Sequence, residues 1–187
     1  MDADELGGFI DQRFRLPGDR LFRMEVLPAY EVDSDGDDYR RWLDGATEPT
    51  WSRKQPWLDS LRRERDNGQV STRVRVLSDE LTTYERYACE FGYVHNASAG
   101  EDIRVLHRGE HALPHELQEE DFWVINDDIV VPMRYDQHGR FESAYVAEHD
   151  EVATYVRARD VAWAAAEPFL AWWARHPELH RRTAQAQ

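Results

Sequence analysis

DFWVINDDIVVPMRYDQHGRF, residues 121–141, is the stretch around which the rest of the chain is organised. It reads as two sheet strands, 122–126 and 129–135, joined by a tight turn at Asn126-Asp127-Asp128. Phe122, Val124 and Ile129 to Val131 are aromatic or β-branched, which suits a pleated sheet. Asn and Asp accept the left-handed backbone that short hairpin turns need. A second turn at 137–140 leads into a third strand, 141–146. Trp123 beside Phe122 places large rings on both faces of the first strand, so both faces are expected to be covered.

Downstream, Asp150 is the expected cap of a long helix over 152–167. Val152, Tyr155, Val156, Trp163 and Ala166 give it one broad apolar face. Pro168 kinks or restarts it, and Phe169, Leu170, Trp172 and Trp173 continue the packing. Trp123 and Trp163 are both expected to be largely buried.

Upstream, residues 69–106 read as strand, helix and strand. In VSTRVRVL, residues 70–77, Val70, Thr72, Val74 and Val76 share one face, and Arg73 and Arg75 share the other. Ser78 or Asp79 is the expected cap of the next helix. Leu81, Tyr84, Ala88 and Phe91 form its packed stripe, and Gly92 marks its end. The chain then turns at 99–101 into a strand over 103–106. This order implies a parallel, right-handed crossover. Residues 107–120 read as a loop.

The first 68 residues read as an arm, an edge strand and a helical cap. Residues 1–19 are expected to be loosely held, with one docked segment at Phe9-Ile10. RLFRMEVL, 20–27, is an edge strand stopped by Pro28. A short helix over 39–43 ends at Gly45, 47–56 is a polar loop, and 57–67 is helical with Trp57, Leu58 and Leu61 inward. The expected architecture is one α/β domain. Residues 1–68 supply the arm, edge strand and cap, and 69–180 supply the core. The sheet is mixed, with a strand-helix-strand unit, a C-terminal hairpin or meander and a closing C-terminal helix.

Composition bounds the function. The chain has 187 residues, 41% of them hydrophobic, and seven tryptophans, enough for a sizeable core. Mean hydropathy is −0.78 and no apolar run approaches membrane-spanning length. The acidic start, MDADEL, is unlike a secretory signal, and the lone Cys89 has no internal disulfide partner. A cytoplasmic protein with no membrane attachment is expected. The net charge of −14 argues against direct nucleic-acid binding, which relies on basic phosphate contacts. Lys54 is the only lysine.

Several patterns suggest chemistry and fall short of it. DSDGDD, 33–38, resembles a calcium loop, but its twelfth position is Asp44 rather than Glu. His107, His111 and His115 are spaced by four, as helical metal ligands would be, but Pro114 breaks such a helix. A loop could still gather two of them with a carboxylate; no metal and no cofactor are expected. Open α/β sheets bind ligands beyond the carboxyl ends of parallel strands. That rule makes Ser78, Tyr84, Arg86, Arg104, His107 and Arg108 the candidates for a small-molecule site. Between 109 and 133 there are seven acids and no Lys or Arg. Glu116, Glu119 and Glu120 are therefore the candidate contacts to a basic partner.

Four elements in order carry a resemblance: R-V-R-V-L-S at 73–78 with Leu81, Tyr84 and Arg86 after it; A-G-E-D-I-R-V-L at 99–106; D-F-W-V-I-N-D at 121–127; and R-D-V-A-W-A-A-A at 159–166. The chain resembles the bacterial domain of unknown function family 6879 from about residue 9 to about residue 169. The family implies no reaction. Its members' frequent proximity to helix-turn-helix regulators implies a regulatory context and a DNA-binding regulator as partner. A weaker similarity is to one half of the phospholipase D fold. Its catalytic His-x-Lys-x4-Asp motif is absent, because aligning Asp127 with the motif's Asp places Glu120 and Phe122 at the His and Lys positions. The leading expectation is a non-enzymatic, sensor-like regulatory or partner-binding protein. The alternative is a small hydrolase or phosphodiesterase using Glu101, Asp102 and His107.

Overall fold

In the computed structural model, which describes residues 1–31 and 37–181, the 121–141 stretch forms the expected hairpin and meander. Its strands are Phe122–Ile125, Ile129–Tyr135 and Phe141–Ala144, all antiparallel. Asn126 and Asp127 have φ of 52° and 68°, the left-handed pair that a two-residue hairpin turn requires. In chain order these three strands are β4, β5 and β6. The others are β1 (Arg20–Glu25), β2 (Val70–Leu77), β3 (Asp102–His107) and β7 (Glu167–Pro168). They form one mixed sheet in the order β6-β5-β4-β1-β2-β3-β7, and the β1–β2 and β2–β3 pairs are parallel.

The expected edge strand is therefore a central one. It ends at Glu25, short of Pro28, and pairs with β2 on one side and β4 on the other. The short strands β6 and β7 form the edges, which limits exposed ladder.

One face of the sheet is apolar. Phe22, Met24, Val74, Val76, Leu106, Phe122, Val124 and Val130 meet Tyr155, Ala158, Ala162 and Ala166. Most of that layer is helix α6, His149–Ala165. Its N-cap is Glu148 rather than the expected Asp150, and Glu151 accepts the Glu148 N–H at 2.9 Å. Alanines at 158, 162 and 166 let the helix lie close to the sheet. Trp163 sits at the rim, half-buried rather than buried, with the Arg104 guanidinium 4.2 Å above its ring. Trp123 is also half-buried, under Arg23 at 4.9 Å. Each ring packs against a core cluster and is largely, not fully, covered where the neighbouring layer ends.

The opposite face is covered by helices from both halves of the chain. The supposed loose arm is helix α1, Ala3–Arg13. Asp2 accepts the Glu5 N–H and Glu5 accepts the Asp2 N–H, both at 2.9 Å, which satisfies amides that a helix start leaves open. Leu6, Phe9 and Ile10 recur at helical spacing and dock on Val131, Met133 and Ala144. Helix α2 is Asp38–Leu43; residues 32–36, which include most of the calcium-like loop, lie outside the described residues. Helix α3, Trp51–Asp66, occupies much of the expected polar loop and carries Pro56 within its second turn. Leu58 and Leu61 face inward as expected, whereas Trp57 is 42% exposed.

After β2 the helix starts at Thr82, not at Ser78 or Asp79. Thr82 and Glu85 cap one another reciprocally at 3.1 and 2.7 Å. The chain continues as α4 (Thr83–Tyr87), a π-helical turn (Ala88–Tyr93) and α5 (Val94–Ala99). Gly92 does not end it. The π turn absorbs Gly92, and Gly100, at φ 123°, supplies the actual stop. Helix α7, Phe169–Arg175, completes this layer with Phe169, Trp172 and Trp173 buried, while Leu170 is exposed. Among the described residues no helix is long and apolar enough to cross a membrane.

Cys89 lies on the π turn and is fully buried. Burial pushes its thiol well above the ordinary range, with Arg75 opposing weakly. Two results are expected. Native protein resists maleimide at pH 8, whereas urea-unfolded protein is labelled. Stability also falls as pH rises through about 8.5, because only the unfolded thiol ionises there. Rapid labelling of the native state would contradict the placement.

Candidate functional site

Strands with residues of alternating type expose one set to each face, and the non-apolar set here is charged. Arg23 and Glu25 on β1 stand beside Arg73 and Arg75 on β2, paired in register as Arg23 with Arg73 and Glu25 with Arg75. These side chains lie beneath helices rather than in water. Arg75 is 0% exposed and Arg73 6%.

Their charges are matched closely. An Arg73 terminal nitrogen lies 2.6 Å from Glu25 Oε1, and its Nε donates to Glu101 Oε1 at 2.8 Å. Tyr93 donates to Glu25 Oε2 at 2.8 Å, and Asn96 donates to Glu101 Oε2 at 3.0 Å. Arg75 donates to the Tyr30 hydroxyl at 3.2 Å and lies 3.6 Å from Glu85. Tyr30 in turn donates to buried Asp121 at 2.7 Å, and Asp121 also accepts the Val26 N–H at 2.8 Å. Burial alone would raise Glu25, but Arg23, Arg73 and Arg75 outweigh it and hold the carboxyl far below its usual range. Burial pushes the Tyr30 and Tyr93 phenols well up.

Above this network is a cleft of about 360 Å³. Arg23, Glu25 and Arg73 form its floor. Arg53, Lys54 and Trp57 reach it from α3, and Asp38 and Pro49 border it. Tyr30, Tyr84, Tyr87, Phe91, Gly92, Tyr93 and Asn96 form the wall. The rings pack on one another: Tyr30 and Tyr84 are 6.0 Å apart, and Tyr84 and Tyr87 5.7 Å. Asp38 fixes the border by accepting the Thr50 N–H at 2.9 Å and pairing with Arg41. The π turn brings Gly92 and Tyr93 to the wall, a recurrent use of such turns, and α5 brings Asn96. Asn96 Oδ1 is buried without a hydrogen-bond partner. A Cβ added at Gly92 would meet nothing within 4 Å, so this wall position opens onto free space. A larger depression, of about 460 Å³, lies between residues 45–48 and the His180-Arg181 pair.

Of the residues nominated from sequence, only Tyr84 lines the cleft. Ser78 gives its N–H and hydroxyl to Glu85 at 2.9 and 3.1 Å, a capping role. Arg86 lies beside Trp42 and Leu43. Arg104 serves the opposite face, where it donates to the Trp163 carbonyl at 3.2 Å. Arg108 is exposed just past β3. His107 ends β3 with Nε2 2.9 Å from the Asp79 carbonyl oxygen. Glu101 and His107 bracket β3, about 20 Å apart at ~3.3 Å per residue, so the alternative catalytic set does not converge. Glu116 pairs with Arg157 at 3.2 Å, Glu120 accepts the Tyr155 hydroxyl at 2.6 Å, and Glu119 is exposed. Asp127 pairs with Arg20 and Arg159, so basic groups from elsewhere offset part of the acidic run.

Sequence reading missed Arg23, Glu25, Arg73 and Arg75 as a site. The available signal was charge on the inner face of strands whose parallel pairing demands cover on both sides. Lys54, the only lysine, is in the cleft rather than at a phosphodiesterase position. No curated protein and no solved structure matches the chain. The sequence model of the family described as Domain of unknown function (DUF6879) matches residues 9–174, and the chain belongs to that family.

Proposed function

We propose that this protein is a non-enzymatic ligand-sensing domain with a regulatory role, and that the cleft over β1 and β2 is its sensing site. The cleft would take a small anion that carries a planar ring. The observation that carries this reading is an aromatic wall facing two cationic residues of one helix, Arg53 and Lys54, over a floor whose Arg23 and Arg73 are paired with Glu25 and Glu101, in a chain of net charge −14. An acidic protein attracts an anion only where its few bases converge. A volume of about 360 Å³ admits a small molecule and not a chain segment.

Binding fits the site better than catalysis. Glu25 stays charged and the Tyr30 and Tyr93 phenols stay protonated across the neutral range. General acid–base work needs a group whose pKa lies near the working pH. The network beneath the cleft is thus a rigid, charged floor.

Anilinonaphthalene sulfonate, a planar aromatic anion, is a direct probe. Fluorescence titration of the full chain is expected to show saturable binding of one dye. Gly92→Phe, which projects a ring into the cleft, should abolish it. The Arg53→Ala, Lys54→Ala double variant should weaken it by at least about ten-fold, the loss of two charge-assisted contacts. Equal binding by all three proteins would contradict the reading.

A further inference from the structure

The wall of the cleft contains an unmet acceptor. Among the described residues, the buried side-chain atoms without a hydrogen-bond partner are guanidinium, indole or imidazole nitrogens, with one exception, Asn96 Oδ1. Asn96 is 6% exposed and lines the cleft. Its orientation is fixed. Nδ2 donates to Glu101 Oε2 at 3.0 Å, so turning the amide over would set its oxygen against a carboxylate oxygen. The backbone is pinned as well, because the Asn96 carbonyl accepts the Gly100 and Glu101 N–H groups at 3.1 and 3.2 Å.

A helical side chain leans towards the turn before it. For Asn96 that turn holds Gly92 and Tyr93, which also line the cleft. Gly92, four residues earlier, leaves open space where a side chain would stand. The lean therefore carries the Asn96 amide to the side of the cleft that Gly92 leaves open. A buried carbonyl oxygen without a donor is destabilising, and it stays so until a donor reaches it.

Given that the cleft is the sensing site, we infer that its ligand is an aminated aromatic ring with an anionic substituent. The ring stacks on the tyrosine wall, the amine gives an N–H to Asn96 Oδ1, and the anion meets Arg53 and Lys54. Aminopurine nucleotides and aminobenzoates both carry this chemistry. Selectivity follows from the geometry. Nδ2 is committed to Glu101, so Asn96 offers the ligand an acceptor alone, and a ring with a methyl group in place of the amine leaves Oδ1 unpaired.

The test is calorimetric titration of the full chain with two matched pairs of probes. One pair is adenosine 5′-monophosphate and 6-methylpurine riboside 5′-monophosphate; the other is 4-aminobenzoate and 4-methylbenzoate. In each pair a methyl group replaces the amine at nearly equal size. At least one amine is expected to bind about ten-fold or more tightly than its methyl partner, and the pair that responds separates a nucleotide from a simple aryl acid. Asn96→Leu should bind both members of that pair equally. In the wild type, which needs no variant to fold, the Asn96 side-chain amide resonances should shift with the amine and not with the methyl compound. The inference is overturned by equal binding within both pairs, by an amine preference that leaves those resonances unmoved, or by one that survives in folded Asn96→Leu. It is also overturned, with the cleft reading left standing, if neither amine binds protein that binds anilinonaphthalene sulfonate. Failure of all four probes and of the dye overturns the cleft reading itself.

Discussion

Replacing Arg73 with methionine is expected to lower the unfolding free energy by about 3–5 kcal/mol, the usual cost of removing one partner from a buried ion pair. Arg73 bridges Glu25 and Glu101, both buried, at 2.6 and 2.8 Å. Without it Glu101 keeps only the Asn96 amide among these contacts, and Glu25 keeps Arg23 and Tyr93. Taking the acids away as well should recover much of the loss, because the desolvation penalty leaves with them. The comparison is Arg73→Met against the triple variant Arg73→Met, Glu25→Leu, Glu101→Met in urea. The acid side has a defined sign. Glu25 is held low in the folded state, so it contributes stability above the unfolded value near 4.3, and that contribution is lost as pH falls below it. A loss under about 1 kcal/mol for Arg73→Met would place the pair in solvent, in conflict with its burial.

Trp172→Ala should cost a similar amount, about 3–5 kcal/mol, by cavity formation. The ring is 0% exposed and packs among Leu77, Val105, Phe169 and Trp173. It also stands 5.5 Å from the His107 ring and 4.7 Å from that of His176, and its N–H reaches Glu110 at 3.3 Å. Its loss therefore loosens α7 against β3. Trp57→Ala is the control: that ring is 42% exposed at the cleft mouth, and its removal should change stability by no more than about 0.5 kcal/mol. Urea midpoints for the two variants separate these cases. Equal midpoints would mean that α7 is not docked as described.

The fold was legible where chemistry is local. Asn126-Asp127 encodes its own turn, and alternation in 70–77 encodes a strand whatever lies beside it. The class, the crossover and the meander followed from such stretches. Elements whose identity depends on distant partners were misread. Arg23 and Glu25 look like the wet side of an edge strand until Arg73, far along the chain, pairs with Glu25 and with Glu101. Gly92 looks like a helix stop because propensity rules do not include a π turn stabilised by packing. The candidate site was harder still. The strand-end rule led to His107, which does not line the cleft. The cleft depends on α3 lying across β1 and β2, and nothing in residues 51–66 announces that placement.

The most direct test of the sensing cleft is an amide chemical-shift map of the full chain titrated with anilinonaphthalene sulfonate. The account predicts saturating shifts concentrated at Arg53, Lys54, Tyr84, Tyr87, Gly92 and Asn96, the residues that enclose the cleft. It predicts no such cluster in Gly92→Phe. Shifts that gather instead around exposed Leu16, Val146 or Leu170, and persist unchanged in Gly92→Phe, would contradict it.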